Sequence, residues 1–225
     1  MSPFTALDLV ALCVFFGIWF VHHLVSERSP GGLSSVMARR RREWMGRMSA
    51  REARMPDSIT MQGLQNGSAF FASTSLIAIG GGLAALQASQ QAIEVFAALP
   101  FGVATTPQLY DVKVVGFSAI FVYIFFKFVW AYRLFNYCSI LIVAAPPPDM
   151  RGTPEMDIAV ERAARMNIEA GRHFNRGLRS LFFVLAYLGW FLSPMVLIAS
   201  SIVVWIVLYR RQFASESLRA ASFGE

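Results

Sequence analysis

Four stretches of this chain each hold roughly 18 or more almost wholly apolar residues, and a helix needs about 20 to cross the hydrocarbon core of a bilayer. They lie at about 5–25, 64–87, 112–143 and 180–209. This feature limits the fold more than any other. It implies an all-α fold: a polytopic integral membrane protein, a four-helix transmembrane bundle forming a single membrane domain, 1–225. Two amphipathic helical connections, 26–63 and 144–179, complete it. Charged residues make up 15% of the chain against 56% hydrophobic, well below the ~25% charged content of soluble domains.

The first stretch, "TALDLVALCVFFGIWFVHHLV", has no basic residue ahead of it. A cleavable signal peptide carries its positive charge before the apolar run, so a retained anchor is expected. The second, "LQNGSAFFASTSLIAIGGGLAALQ", is rich in small residues, which let helices approach closely in lipid. Gly67, Gly80, Gly81 and Gly82 are its candidate packing residues, and the helix is expected at the centre of the bundle. The third runs from near Asp111 into "AAPPPDM", where consecutive prolines end it. The fourth candidate, extended to Leu178–Tyr209, amounts to about 48 Å of helix, too long for a ~30 Å core. Either its first turns lie at the interface, or it breaks near Pro194 and re-enters.

Basic residues orient the spans. The connection after the first span holds eight arginines and the one before the fourth holds six, while 88–110 has none. Positive charge marks the cytoplasmic side, so both basic connections are assigned there and both termini outside. Arg210, Arg211 and Arg219 argue against a single fourth crossing. Only Lys113 and Lys127 of the twenty basic residues are lysines. An arginine bias suits phosphate and carboxylate partners, and its place beside apolar spans favours anionic phospholipid over nucleic acid.

In "SSVMARRRREWMGRMSAREARM" the residues Met37, Trp44, Met48 and Met55 recur at helical spacing among arginines. Such a helix either lies flat in a headgroup layer, with Arg40, Arg41 and Trp44 as its interfacial residues, or packs on the protein's own inner face. The second connection opens with Thr153 as N-cap and Pro154 at the first helical position. A stripe of Met156, Ala159, Ala163, Met166, Ala170, Phe174 and Leu178 then leads without a break into the fourth span. Glu161 precedes Arg165 by four residues, and Glu169 precedes His173 by four, both pairing distances.

Little in the sequence supports chemistry. Cys13 and Cys138 are isolated in apolar runs and read as buried hydrophobes. No Ser-His-Asp set, metalloprotease helix or carboxylate pair can be assembled, so a non-enzymatic protein without cofactor is expected. A heme or metal site would need His22 or His23 to meet His173. Within "FFKFVWAYRLFNY", counting from Asp111 at ~1.5 Å per residue puts Arg133 at the inner interface and Lys127 one or two turns deeper. Tyr123 and Trp130 offer Lys127 cation–π faces, and Asn136 lies near Arg133. Lys127, Arg133, Asn136, Arg172 and Arg176 are the candidate contacts for lipid phosphate or another anion.

The segments "ALDLVALCVFFGIW", "LSSVMARRRREWMGRM", "LQNGSAFFASTSLIAIGGGL", "FKFVWAYRLFNYCSILIVAAP" and "FNRGLRSLFFVLAYLGWFLSP" together resemble the bacterial membrane-protein family known as domain of unknown function 599. That resemblance implies a compact multi-span protein of the bacterial inner membrane and carries over no catalytic residue. The expectation is an accessory or scaffold subunit that binds anionic phospholipid and forms a homo-oligomer or joins a larger membrane complex. The alternatives are an oligomeric anion channel or transporter using Lys127 and, third, a heme- or metal-binding membrane protein.

Overall fold

The computed structural model describes residues 4–98 and 106–224, with the side chains of Phe96 and Ala97 outside the description. The described residues form eight α-helices and no strand: α1 (Ala6–Arg28), α2 (Leu33–Met48), α3 (Met55–Gln87), α4 (Ser89–Ala97), α5 (Pro107–Val143), α6 (Pro154–Leu192), α7 (Pro194–Phe213) and α8 (Glu216–Ala221). Pro148–Met150 is a single 3-10 turn.

Local chemistry sets the boundaries. Thr5 and Asp8 form a reciprocal capping box at the start of α1. Thr106, Thr153, Ser193 and Ser215 cap α5, α6, α7 and α8 with their hydroxyls. The Thr153–Pro154 start of α6 is the one read from sequence. Pro146–Pro148 end α5, and the carbonyls left over there are taken up by Arg54 at the head of α3. Its guanidinium donates to Ile142 O at 3.0 Å, to Ala145 O at 2.5 Å and to Pro146 O.

The segment 180–209 is two helices, not one span. Ser193 is extended (φ −165°, ψ 161°), as a residue before proline favours. Its hydroxyl accepts from Val196 N–H at 3.2 Å. The chain therefore reverses, and α7 runs antiparallel along α6. Ser200 Oγ donates across the hairpin to Ala186 O at 2.8 Å. Gly189 allows this closeness, since a Cβ there would stand 3.1 Å from Val196 O and 2.8 Å from Ser200 Oγ.

Long-range contacts fix which ends meet. Trp190, near the end of α6, donates to Asp8 at the start of α1 at 2.8 Å. Tyr187 donates to Lys113 O near the start of α5 at 3.1 Å. At the other end Arg40 of α2 donates to Ala221 O in α8 at 2.9 Å. This departs from the expectation that both termini share one side: the start of α1 and the end of α8 lie at opposite ends of the bundle. The hairpin brings Arg210, Arg211 and Arg219 to the end that holds the two arginine-rich connections, which removes the conflict in the charge count.

The centre belongs to α5 and α6, not to the small-residue helix. Helix α3 lies on the flank of α5, where Phe71 stacks on Phe128 at 5.0 Å and Gln65 donates to Ser139 at 3.1 Å. Of its five glycines only Gly82 packs closely, against Ser118, whereas Gly63 and the candidates Gly67, Gly80 and Gly81 have no neighbour within 4 Å of the Cβ position. One core cluster gathers Phe15, Phe128, Phe183, Tyr187 and Trp190. A second, nearer the basic end, gathers Met45, Met48, Met61, Phe135, Ala163 and Ala164.

Much apolar surface is left facing outward. Ala6–Met48, Met55–Gln87, Pro107–Val143 and Pro194–Ala221 each contain a stretch long and apolar enough to cross a membrane, yet only 17–33% of those windows is buried. Phe70 and Ile77 on α3, Phe126 and Ile140 on α5 and Val203 on α7 are all exposed. A water-soluble monomer rarely carries so extensive an apolar belt.

Candidate functional site at the basic end

Glu27, in the last turn of α1, organises the junction of α1, α5 and α6. Its carboxylate accepts from Arg176 through both Nε and a terminal nitrogen, the latter at 2.7 Å. Arg179 donates from one turn further along α6 at 3.4 Å, and His23 Nδ1 lies 3.5 Å away. A planar guanidinium matches a carboxylate in this two-point way, which lysine cannot do. Arg176 and Arg179 lie three residues apart on one helical face, so both reach the same carboxylate.

Lys127 meets this group from α5. It is half-buried, and its Nζ lies 4.8 Å from the Tyr123 ring centroid, as the sequence suggested. Its wider field comes from Arg176 and Glu27. Trp130 serves a different cation: Arg133 lies over it at 5.6 Å and over Tyr137 at 5.5 Å, and donates to Tyr137 Oη at 2.7 Å. Arg133 and Asn136 are exposed on the outer face of α5.

His173 stands edge-on to Trp130 at 6.4 Å, and its Nδ1 has no partner. Burial, reinforced by Arg176 and Lys127, lowers the pKa of its imidazole from the ordinary histidine value. The expected Glu169–His173 pair gives way to Glu169–Arg172, whereas Glu161–Arg165 forms at 2.7 Å. His22 is buried against Phe183 and shares a hydrogen bond with Ser26 at 3.2 Å. Among the described residues no three His, Cys, Asp or Glu side chains converge as metal ligands.

Helix α2 buries Val36, Met45 and Met48, the two methionines against Ala163, Ala164 and Ala170 of α6, whereas Met37 and Met55 are exposed. The face expected from Met37, Trp44, Met48 and Met55 is therefore rotated, and Arg40, Arg41 and Trp44 each make a contact within the fold. Arg41 donates to the buried Asn167, Trp44 Nε1 to the buried Asp57 at 2.7 Å, and Arg40 to Ala221 O. Arg42 bridges to Glu161 at 3.1 Å. The stripe of Ala163, Ala164, Ala170 and Gly171 on α6 is small enough to admit these side chains.

Sequence reasoning missed Glu27, Asp8 and Lys113. Glu27 lies just past the apolar run and was read as part of a connection. Asp8, near the start of the first apolar run, is 2% exposed and holds Trp190 as well as its own cap. Lys113 is 3% exposed, with its Nζ 5.4 Å from the Trp190 ring centroid. Burial of a lone Asp8 would be prohibitive, and its hydrogen bonds and the nearby lysine explain why it is tolerated.

These features define the class: an all-helical protein with four stretches long and apolar enough to span a membrane and its arginines gathered at one end. The chain belongs to the family described as protein of unknown function, DUF599, which matches residues 10–217. No curated protein and no solved structure matches it.

Proposed function

We propose that this protein is a non-enzymatic accessory or scaffold subunit of the bacterial inner membrane, with its basic end cytoplasmic and bound to anionic phospholipid. The carrying observation is the charge asymmetry of the folded chain. The α6–α7 hairpin adds Arg210, Arg211 and Arg219 to the end that already holds the fourteen arginines of the two connections. A belt of exposed apolar side chains adjoins that end. Arginines at the edge of an apolar belt meet anionic headgroups, each contributing on the order of 1 kcal/mol near the surface. The positive-inside bias favours the same orientation.

The internal cations are already engaged. Arg176 and Arg179 are tied to Glu27, and Lys127 lies on Tyr123 with that carboxylate in its field. This favours a supporting role for the cluster, which fixes α1 against α6, over an anion path through Lys127. The test is gentle extraction, followed by quantification of the lipids and proteins that co-purify. Enrichment of anionic lipid over its share of the membrane, with a stoichiometric protein partner or a defined homo-oligomer, is the expected result. An anion flux in proteoliposomes that Lys127→Met abolishes would overturn the scaffold reading.

A further inference from the structure

A cleft opens at the basic end between the end of α1, α2, α6 and the end of α7. It has two adjoining lobes, with volumes of about 400 Å³ and 350 Å³, that share Ser34, Met37, Asn175 and Arg179. Each lies within the ~300–1,000 Å³ typical of small-ligand sites. Arg39, Arg41, Arg172, Arg179 and Arg211 line the two lobes against a single carboxylate, Glu27. Arg179 shares that carboxylate with Arg176, which lies outside the cleft, and Arg172 pairs with Glu169, so the positive excess of the lining rests on Arg41 and Arg211.

Two further groups point to a ligand. His22, 1% exposed, lines the cleft with Nδ1 unpartnered. Gln212, 9% exposed, lines the same lobe; Ser34 donates to its amide oxygen at 3.2 Å, which leaves the amide nitrogen without an acceptor. Buried polar nitrogens left in this way are costly, and native structures rarely keep them without a partner. The missing component is an acceptor with several oxygens and negative charge. Beside the arginines the walls turn apolar, through Met37, Leu178, Phe182 and Leu208. The outer face of α7 continues that surface with the exposed Val203 and Val207.

We infer that this cleft binds one phosphate group, presented by a lipid headgroup or as a free anion. The inference rests on the anionic-lipid reading and narrows it from a basic surface to one built site. Arginine forks match phosphate oxygens, Gln212 supplies a neutral donor, as His22 does in its Nδ1–H tautomer, and the apolar wall suits the first carbons of an acyl chain.

The test is native mass spectrometry of the full chain in neutral detergent, titrated with dioleoyl phosphatidylglycerol and separately with dioleoyl phosphatidylcholine. One phosphatidylglycerol per chain is expected, with phosphatidylcholine at least tenfold weaker. Arg211→Gln and Gln212→Met should each weaken phosphatidylglycerol about tenfold, the scale of one lost charge-assisted contact. Arg211 is exposed, so its variant folds even if Gln212→Met does not. Displacement of the lipid by millimolar inorganic phosphate assigns the site to a free anion; retention assigns it to a headgroup. Equal binding of both lipids, or wild-type affinity in Arg211→Gln, overturns the site. If anionic lipid is still enriched around the cleft variants, the broader reading survives the loss of this one; if it is not enriched even around the wild type, the broader reading fails.

Discussion

Replacing Glu27 with Gln keeps the shape of the side chain and removes the charge on which α1 and α6 converge. The wild-type carboxylate takes two hydrogen bonds from Arg176 and a longer one from Arg179, across 149 and 152 residues of chain. Side-chain exposures are 23% for Glu27, 21% for Arg176 and 13% for Arg179. Breaking a fully buried ion pair costs roughly 3–5 kcal/mol, and a hydrogen bond to a charged group is worth about 1.5–3 kcal/mol. With about a fifth of the pair still solvated, a loss of about 2 kcal/mol is expected, including repulsion between the two released guanidinium groups. For a chain of this size that lowers the melting temperature by about 4–8 °C. Thermal unfolding in detergent, followed by circular dichroism, reads it directly. A double-mutant cycle with Arg176→Gln should recover at least half of the loss as coupling. A Tm within 1 °C of wild type, or strict additivity of the two variants, would refute the view that Glu27 ties α1 to α6.

Three other perturbations probe the rest of the fold. Gly189→Leu puts a side chain into the close approach of α6 and α7 and should cost about 1–3 kcal/mol, or separate the hairpin, as read by disulfide trapping between cysteines placed on the two helices. Arg54→Met leaves the carbonyls of Ile142, Ala145 and Pro146 without their donor and should cost about 1–3 kcal/mol, visible as faster hydrogen exchange around 139–147. Hydrogen bonds from Arg42 and Arg165 hold the Glu161 carboxyl below its usual pKa. The stability it adds is complete above the ordinary glutamate range and is lost as pH falls through its lowered folded value. Exchange in α2 should therefore rise on acidification below about pH 4.3, and less so in Glu161→Gln.

The architecture was legible wherever it depended on local chemistry. Thr153–Pro154 announced the start of α6, the triple proline the end of α5, and Pro194 a break that length alone made plausible. What was not legible depends on pairings far apart in the chain. Nothing near Glu27 signals that residues about 150 positions on will meet it, and Asp8 gives no local sign of Trp190. The face of α2 was misjudged because Met37 and Met48 share a helical stripe with Trp44, whereas the side that is buried carries Val36, Met45 and Met48. Counting small residues put α3 at the centre, but four of its five glycines have no neighbour at the Cβ position. The cleft could not be read in advance, because His22 and Gln212 acquire their meaning only when α7 folds back along α6.

That fold-back is the central claim, and side-specific cysteine labelling tests it most directly. Single cysteines replace Arg47 in α2, Gln90 in α4 and Phe223 after α8, in a chain with Cys13→Ser and Cys138→Ala. Intact membrane vesicles of known orientation are treated with a membrane-impermeant maleimide. The expected result is that Arg47→Cys and Phe223→Cys react from the same side and Gln90→Cys from the other. Reaction of Phe223→Cys together with Gln90→Cys would place the last segment across the bilayer only once and contradict the gathering of the arginines at one end.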